Sequence, residues 1–173
     1  ADHLIGGGGT DVFVLANGDF ASGESIDGVG SSGGRPYDTI KIDGTTGGAV
    51  TVDFGTGTVK DIENIDIASD HSHNITFGDI TDSTGVDTTF LEVSASVANI
   101  SGVIIDASSL NGGGGEVDQL RVVGTNLNGD DNITGSSAAD EIDGGDGVDT
   151  ITGGDGGDTL TGNGGSDMFD YAA

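Results

Sequence analysis

The sequence predicts an all-β chain wound as a right-handed parallel β-solenoid that finishes in a β-roll. Three observations carry that expectation. A nine-residue period runs through residues 126–170, short runs of alternating apolar and polar residues fill the middle, and no convincing amphipathic helix occurs anywhere.

The period is plain when the C-terminal region is written in blocks of nine: GGDGVDTIT (144–152), GGDGGDTLT (153–161) and GNGGSDMFD (162–170). Each block has Gly at positions one and four, Asp at six and a large apolar residue at eight. These are Asp149, Asp158 and Asp167, followed by Ile151, Leu160 and Phe169. The frame extends backwards with fewer glycines. Asp140 and Ile142 are in phase in GSSAADEID (135–143), as are Asp131 and Ile133 in NLNGDDNIT (126–134). A flexible glycine-aspartate linker would have no reason to keep an apolar residue at position eight of every block.

The spacing has a physical reading. The first six residues of a block demand close carbonyl approach and backbone with positive φ, which glycine adopts cheaply. The last three make a short strand with a single inward apolar side chain. Two blocks then form one coil of eighteen residues with a loop on each edge. Asp131, Asp149 and Asp167 would line one edge, and Asp140 and Asp158 the other. Carboxylates stacked at the strand spacing of ~4.8 Å repel by about 1–3 kcal/mol per neighbouring pair at surface-like dielectrics. One buried apolar residue per strand returns only about 1.5–3 kcal/mol, against ordering costs of ~1–2 kcal/mol per residue. Such a coil needs a counter-ion. Carboxylates and glycine carbonyls are hard oxygen donors, the set that suits Ca²⁺, so metal binding and folding are expected to be one event.

Composition agrees. The chain of 173 residues has 4 Lys+Arg against 30 Asp+Glu, a formal net charge of −26. That balance argues against nucleic acid and anionic membranes as partners and in favour of a cation. High charge with 35 glycines also resembles a disordered chain, but the in-phase apolar residues speak against that reading. Cysteine is absent, so disulfides and thiolate sites are excluded and bound metal becomes the natural staple. No apolar run approaches ~20 residues, so no membrane insertion is expected.

The blocks GGDGVDTIT and GGDGGDTLT resemble the RTX nonapeptide of hemolysin-type, type I-secreted bacterial proteins. The resemblance implies stacked calcium loops binding several Ca²⁺ ions between successive coils. In each, one loop gives the backbone oxygens of positions one and three plus its Asp, and the next gives positions two and four plus its own. One implied site joins Asn126, Asn128 and Asp131 to Gly145, Gly147 and Asp149. A second joins Gly135, Ser137 and Asp140 to Gly154, Gly156 and Asp158, and a third joins Gly144, Asp146 and Asp149 to Asn163, Gly165 and Asp167. Gly153 and Asp155 hold positions one and three of their own block. The block 126–134 has Asn and Leu at its first two positions, and 135–143 keeps glycine only at its first.

The N-terminus follows the same grammar. GGGGTDVFV (6–14) places Asp11 at position six and Phe13 at eight, with Gly6 and Gly8 at one and three, while Asp2 and Leu4 lie nine residues earlier. Ile26-Asp27 and Asp38-Thr39-Ile40 mirror Ile142-Asp143 and Asp149-Thr150-Ile151, separated by a longer insertion containing Pro36. Residues 45–125 lose the frame but keep VTVDF (50–54), ENIDIAS (63–69), NITFGDI (74–80), FLEVSAS (90–96), GVIIDASSL (102–110) and QLRVVGT (119–125), expected to be strands of a continuing solenoid. The expected organisation is an N-terminal RTX-like edge (1–44), a longer-runged solenoid (45–125) and a β-roll (126–173). Beginning and ending within repeat-like sequence, the chain is expected to be a piece of a larger protein.

Other matches carry less. Asp130 to Glu141 nearly satisfies an EF-hand loop, but Thr134 departs from it and no helices flank it. Gly28, Gly30 and Gly33 spell GxGxxG without a strand-to-helix turn. His71 and His73 with Asp70 could ligate zinc, though a solvated loop is the expected setting. Asn74, Asn99 and Asn132 head sequons that are matches of composition in a chain expected to be bacterial. No GxSxG, HExxH or Cys-His pair occurs, so no catalytic residue is expected. The expected function is a non-catalytic, calcium-dependent structural segment of a secreted surface-layer protein or adhesin, extracellular and bacterial. Cell-surface glycan or neighbouring copies are its candidate partners. The alternatives are the accessory calcium domain of a type I-secreted protease, lipase or polysaccharide epimerase, and a solenoid face that binds glycan or ice.

Overall fold

The computed structural model describes residues 1–28, 37–44, 49–78, 80–81, 91–97, 100–110 and 119–171. Pro36, Gly30, Gly33, Phe90 and Asn99 lie outside the described residues. Among the described residues, seventeen strands follow in chain order. The first five are β1 (His3–Ile5), β2 (Val12–Leu15), β3 (Ser25–Asp27), β4 (Thr39–Ile42) and β5 (Val50–Asp53). Next come β6 (Thr58–Lys60), β7 (Asn64–Ile67), β8 (His73–Thr76), β9 (Ile80–Thr81), β10 (Leu91–Ala95) and β11 (Val103–Asp106). The last are β12 (Leu120–Val122), β13 (Asn132–Thr134), β14 (Glu141–Asp143), β15 (Thr150–Thr152), β16 (Thr159–Thr161) and β17 (Met168–Asp170).

Every pairing between these strands is parallel, and none joins consecutive strands. That is the signature of a coil stacking on its own next turn. Three walls result, in the orders β1-β3-β6-β9, β2-β4-β7-β10-β12-β14-β16 and β5-β8-β11-β13-β15-β17. The fold is thus an all-β parallel solenoid, as the period predicts. From β3 to β11 each turn uses all three walls, and from β12 onwards each turn uses two. The runs of the middle fall on strands as expected. β6 is the strand that the sequence hides, because its three residues hold a single apolar side chain, Val59.

The reason for the stacking is visible in the register. Phe13, Ile40, Ile65, Val93, Val122, Ile142 and Leu160 pair in one continuous row along the longest wall. Val52, Ile75, Ile105, Ile133, Ile151 and Phe169 pair along the second. Ile40, Ile65, Ile75, Ile133 and Ile151 are completely buried. Most rungs carry Ile or Val, and a β-branched side chain suits a narrow interior, since it fills the pleat with little rotamer freedom to lose. Position eight of the nonapeptide therefore makes the core, and each coil covers the apolar residue of the last. Phe169 stacks on Ile151 yet stays exposed, because no further described coil covers it. In the wider middle, Phe20, Phe54 and Phe77 fill a corner with ring centroids 5.4 and 5.7 Å apart.

Candidate metal centre

In the C-terminal roll the coil is eighteen residues. Ile133 pairs with Ile151, Ile151 with Phe169 and Ile142 with Leu160. This register sets the Asp of one coil directly against the Asp of the next. The Asp131 amide donates to Asp149 Oδ1 at 2.9 Å, and the Asp149 amide to Asp167 Oδ1 at 3.2 Å. On the opposite edge the Asp140 amide donates to Asp158 Oδ1 at 3.0 Å. Asp131, Asp149 and Asp167 thus stand in one column, Asp140 and Asp158 in another.

The glycines explain how carboxylates come to lie there. A Cβ at Gly135, Gly144, Gly153 or Gly162 would collide with the Oδ2 atom of Asp140, Asp149, Asp158 or Asp167 of the same block. In these four blocks position one has no room for a side chain, because the Asp of position six folds back over it. Positions two and four have a different need. Gly145, Gly147, Gly154, Gly156 and Gly165 have φ of 97°, 141°, 100°, 118° and 142°, a region that favours glycine. Asn163 takes position two of its block at φ 61°, tolerable for Asn. A side chain at Gly147 or Gly156 would also strike the carbonyl of Gly129 or Ala138, one coil before. The loops therefore stack backbone on backbone, with carbonyl oxygens turned toward the neighbouring coil.

The column of Asp131 and Asp149 is electrostatically incomplete. Both residues are buried, and the Oδ2 atom of each has no hydrogen-bond partner. Burial, with Asp149 and Asp130 nearby, pushes the Asp131 carboxyl up to about 7, against the hydrogen bond from the Val103 amide. Burial also raises Asp149, aided by Asp167, Asp130 and Asp143. An unpartnered buried carboxylate oxygen is costly unless a cation meets it. Gly144, Gly145 and Gly147 lie in the same loop as Asp149, while Asn126 and Asn128 lie in the loop of Asp131 one coil earlier. Asp146, Asp155, Ser137 and Asn163 are exposed; the Asn163 side-chain amide donates to Asp143 Oδ1, and the Ser137 hydroxyl donates to the Leu110 carbonyl at 3.5 Å. No group of three His, Asp or Glu side chains able to hold a metal occurs among the described residues. A site of two carboxylates completed by carbonyls is compatible with that.

Asp140 differs. Its carboxyl is also raised by burial, but its Oδ2 accepts the Ser136 amide at 2.6 Å and its Oδ1 accepts the Ser136 hydroxyl and the Leu120 amide, both at 2.7 Å. Neither Ser136 nor Ala138 has a positive φ.

At the N-terminus Gly7 and Gly9, positions two and four of block 6–14, have φ of 95° and 124°. Asp11 folds back over Gly6, and its Oδ2 is buried without a partner. Asp2 and Gly8 are exposed. Here the ladder continues through residues with wider spacing. The Asp11 amide donates to Asp38 Oδ1 and the Asp38 amide to Glu63 Oε2, each at 2.8 Å. Glu63 is the member that reading the sequence missed. Its signal was Glu63-Asn64-Ile65, which copies Asp131-Asn132-Ile133 one methylene longer.

The histidines need a correction. His73 does not sit in a solvated loop: it opens β8, is buried, and lies 3.0 Å through Nε2 from the Ser69 hydroxyl. Burial lowers its pKa. The alternation that places Ile75 and Phe77 inside the coil also places His73 there. His71 lies 3.3 Å from Asp70, with no third ligand among the described residues. Residues 130–141 contain the whole of β13 and reach the first residue of β14, so they form no single loop, and no α-helix flanks them among the described residues.

Residues 1–19, 126–160 and 143–173 match the RTX calcium-binding nonapeptide repeat, in four copies. No curated protein and no solved structure matches the chain. The matched segments coincide with the loops whose glycines adopt positive φ beneath a folded-back Asp. RTX nonapeptides bind calcium, several ions to a block of repeats, and residues 1–19 and 126–173 of this chain carry that repeat, with calcium as its cofactor.

Proposed function

We propose that the chain is a non-catalytic structural segment of a type I-secreted surface protein, which folds when calcium fills the column of Asp131, Asp149 and Asp167. The observation that carries this reading is the pair of buried, unpartnered Oδ2 atoms on Asp131 and Asp149. One ion between the first two coils would draw on Asp131, Asp149 and the carbonyls of Asn126, Asn128, Gly145 and Gly147. A second would draw on Asp149, Asp167 and the carbonyls of Gly144, Asp146, Asn163 and Gly165. Calcium neutralises the stacked charge and thereby couples coil to coil. Extracellular modules commonly bind in the range of about 10⁻⁴–10⁻³ M, so such a chain stays unfolded at cytosolic calcium and sets outside the cell.

A surface-layer or adhesive role fits the long three-walled middle better than the role of a short accessory roll on an enzyme. A regular glycan- or ice-binding face is less well supported. The outward row of the longest wall reads Thr39, Asn64, Glu92, Arg121, Glu141, Thr159, with Arg121 held between Glu92 at 2.9 Å and Glu141 at 3.2 Å. That row is a mixed, self-paired surface without a repeated threonine ladder.

The test is a calcium titration followed by far-UV circular dichroism and calorimetry. The expected result is a gain of β structure with uptake of more than one ion per chain. A spectrum already β-rich in chelator and unchanged by millimolar calcium would overturn the proposal.

A further inference from the structure

We propose that Ser136 takes the place of a calcium ion between Asp140 and Asp158, so that this interval of the second edge binds no cation. The inference rests on the reading of the Asp131-Asp149-Asp167 column as the calcium edge and divides the roll into one metal edge and one hydrogen-bonded edge.

The two columns have the same backbone register and similarly buried leading carboxylates, yet their oxygens are in opposite states. Asp131 and Asp149 each leave Oδ2 buried and unpartnered. At Asp140 the corresponding oxygen receives the Ser136 amide at 2.6 Å, while Oδ1 receives the Ser136 hydroxyl and the Leu120 amide at 2.7 Å each. Three donors around one buried carboxylate give both of its oxygens partners without a metal. The hydroxyl also accepts the Ala138 amide at 3.0 Å, so it ties the loop to the carboxylate from both sides.

The backbone explains the switch. Position two is occupied by Gly7, Gly145, Gly154 or Asn163 in the other glycine-rich blocks, all with positive φ. There the Gly145 amide turns away from its own position-six Asp and donates to Asp143 Oδ1 at 3.1 Å. Ser136 does not adopt positive φ, and its amide turns inward onto Asp140. A cation on this edge would have to displace both the backbone amide and the hydroxyl of a residue that is itself buried.

Calorimetric calcium stoichiometry on the whole chain tests the idea. Asp158→Asn keeps an acceptor for the Asp140 amide and is expected to leave the number of bound ions unchanged. The double variant Ser136→Gly with Ala138→Gly restores the GGxGxD pattern over 135–140 and is expected to bind one ion more than the unaltered chain. Loss of an ion in Asp158→Asn overturns the inference, as does an unchanged count in a folded double variant. If the double variant fails to fold, Asp158→Asn alone decides. The underlying reading fails separately if Asp149→Asn loses no ion, and an unaltered chain that takes up no calcium overturns both.

Discussion

Replacing Asp149 by Asn should stabilise the chain without calcium and destabilise it with calcium. The carboxamide keeps an oxygen to accept the Asp131 amide and removes one buried charge from the centre of the column. Its neighbours are Asp131 on one side and Asp167 on the other. At a separation of ~5 Å each pair repels by about 1–3 kcal/mol, so in chelator the variant should gain about 2 kcal/mol or more. In calcium the account reverses, because Asp149 belongs to both proposed ions of the column. At free calcium about ten to a hundred times the dissociation constant, each ion stabilises the folded state by about 1.4–2.7 kcal/mol. Losing two costs about 3–5 kcal/mol. Urea unfolding in about 10 mM calcium, followed by far-UV circular dichroism, measures the second arm, and the first is read in chelator as the amount of a folding osmolyte needed to recover the β spectrum. A shift of the same sign and size in both media would show that Asp149 is a hydrogen-bond acceptor of the loop and no ligand, and the electrostatic argument would fail.

The remaining predictions concern protons, backbone and core. Asp131 titrates at about 7 in the folded, metal-free chain and near ~3.9 unfolded, so the folded state holds the proton more tightly. Its contribution to apo stability is complete below about pH 4 and is lost as pH rises through about 7, whereas calcium-loaded protein should lose stability on acidification. His73, with its lowered pKa, acts oppositely: its contribution is complete above about pH 6.5 and falls away as pH drops toward its folded value, a component that His73→Asn should remove from the pH profile. Gly156→Ala should cost about 1–3 kcal/mol or more from its φ of 118° and the Ala138 carbonyl beneath it, while Gly157→Ala, with open space around it, should cost far less; thermal melts of the two separate backbone strain from composition. Ile105→Ala, at the centre of the second wall, should cost about 2–5 kcal/mol in either medium. Glu63→Ala removes the acceptor of the Asp38 amide and should cost about 1–3 kcal/mol by the same measurement.

The roll was legible because its period repeats the same physical solution at each turn. Ile133, Ile142 and Ile151 mark the core, Asp131 and Asp149 the edge, and the spacing of eighteen that pairs them follows from counting two blocks per coil. The middle was legible only as strands. Nothing in VTVDF or NITFGDI states which later strand will lie beside it, and turns of unequal length, such as Val52 to Ile75 and Ile75 to Ile105, leave no period to count. The third wall was invisible for that reason. Glu63 escaped notice because its side chain reaches the same amide from a residue type outside the motif. Ser136 was readable only as a missing glycine; that it fills the gap with its own donors needs the direction of an amide, which no residue name encodes. His73 shows the converse error, where polarity suggested a loop and strand alternation decided otherwise.

The longest wall runs unbroken from β2 to β16, while the other two each cover only part of the stack. It acts as a keel to which the flanking walls are fastened in succession, one ending at β9 and the other beginning at β5. In the roll beyond, each coil is a screw displacement of the last by eighteen residues. Duplicating one such coil between Thr152 and Gly153 would lengthen the rod by a single strand spacing without disturbing either end. The length of such a molecule is thus a count of turns, adjustable in whole steps, and its strength along the axis is set by the weakest single step.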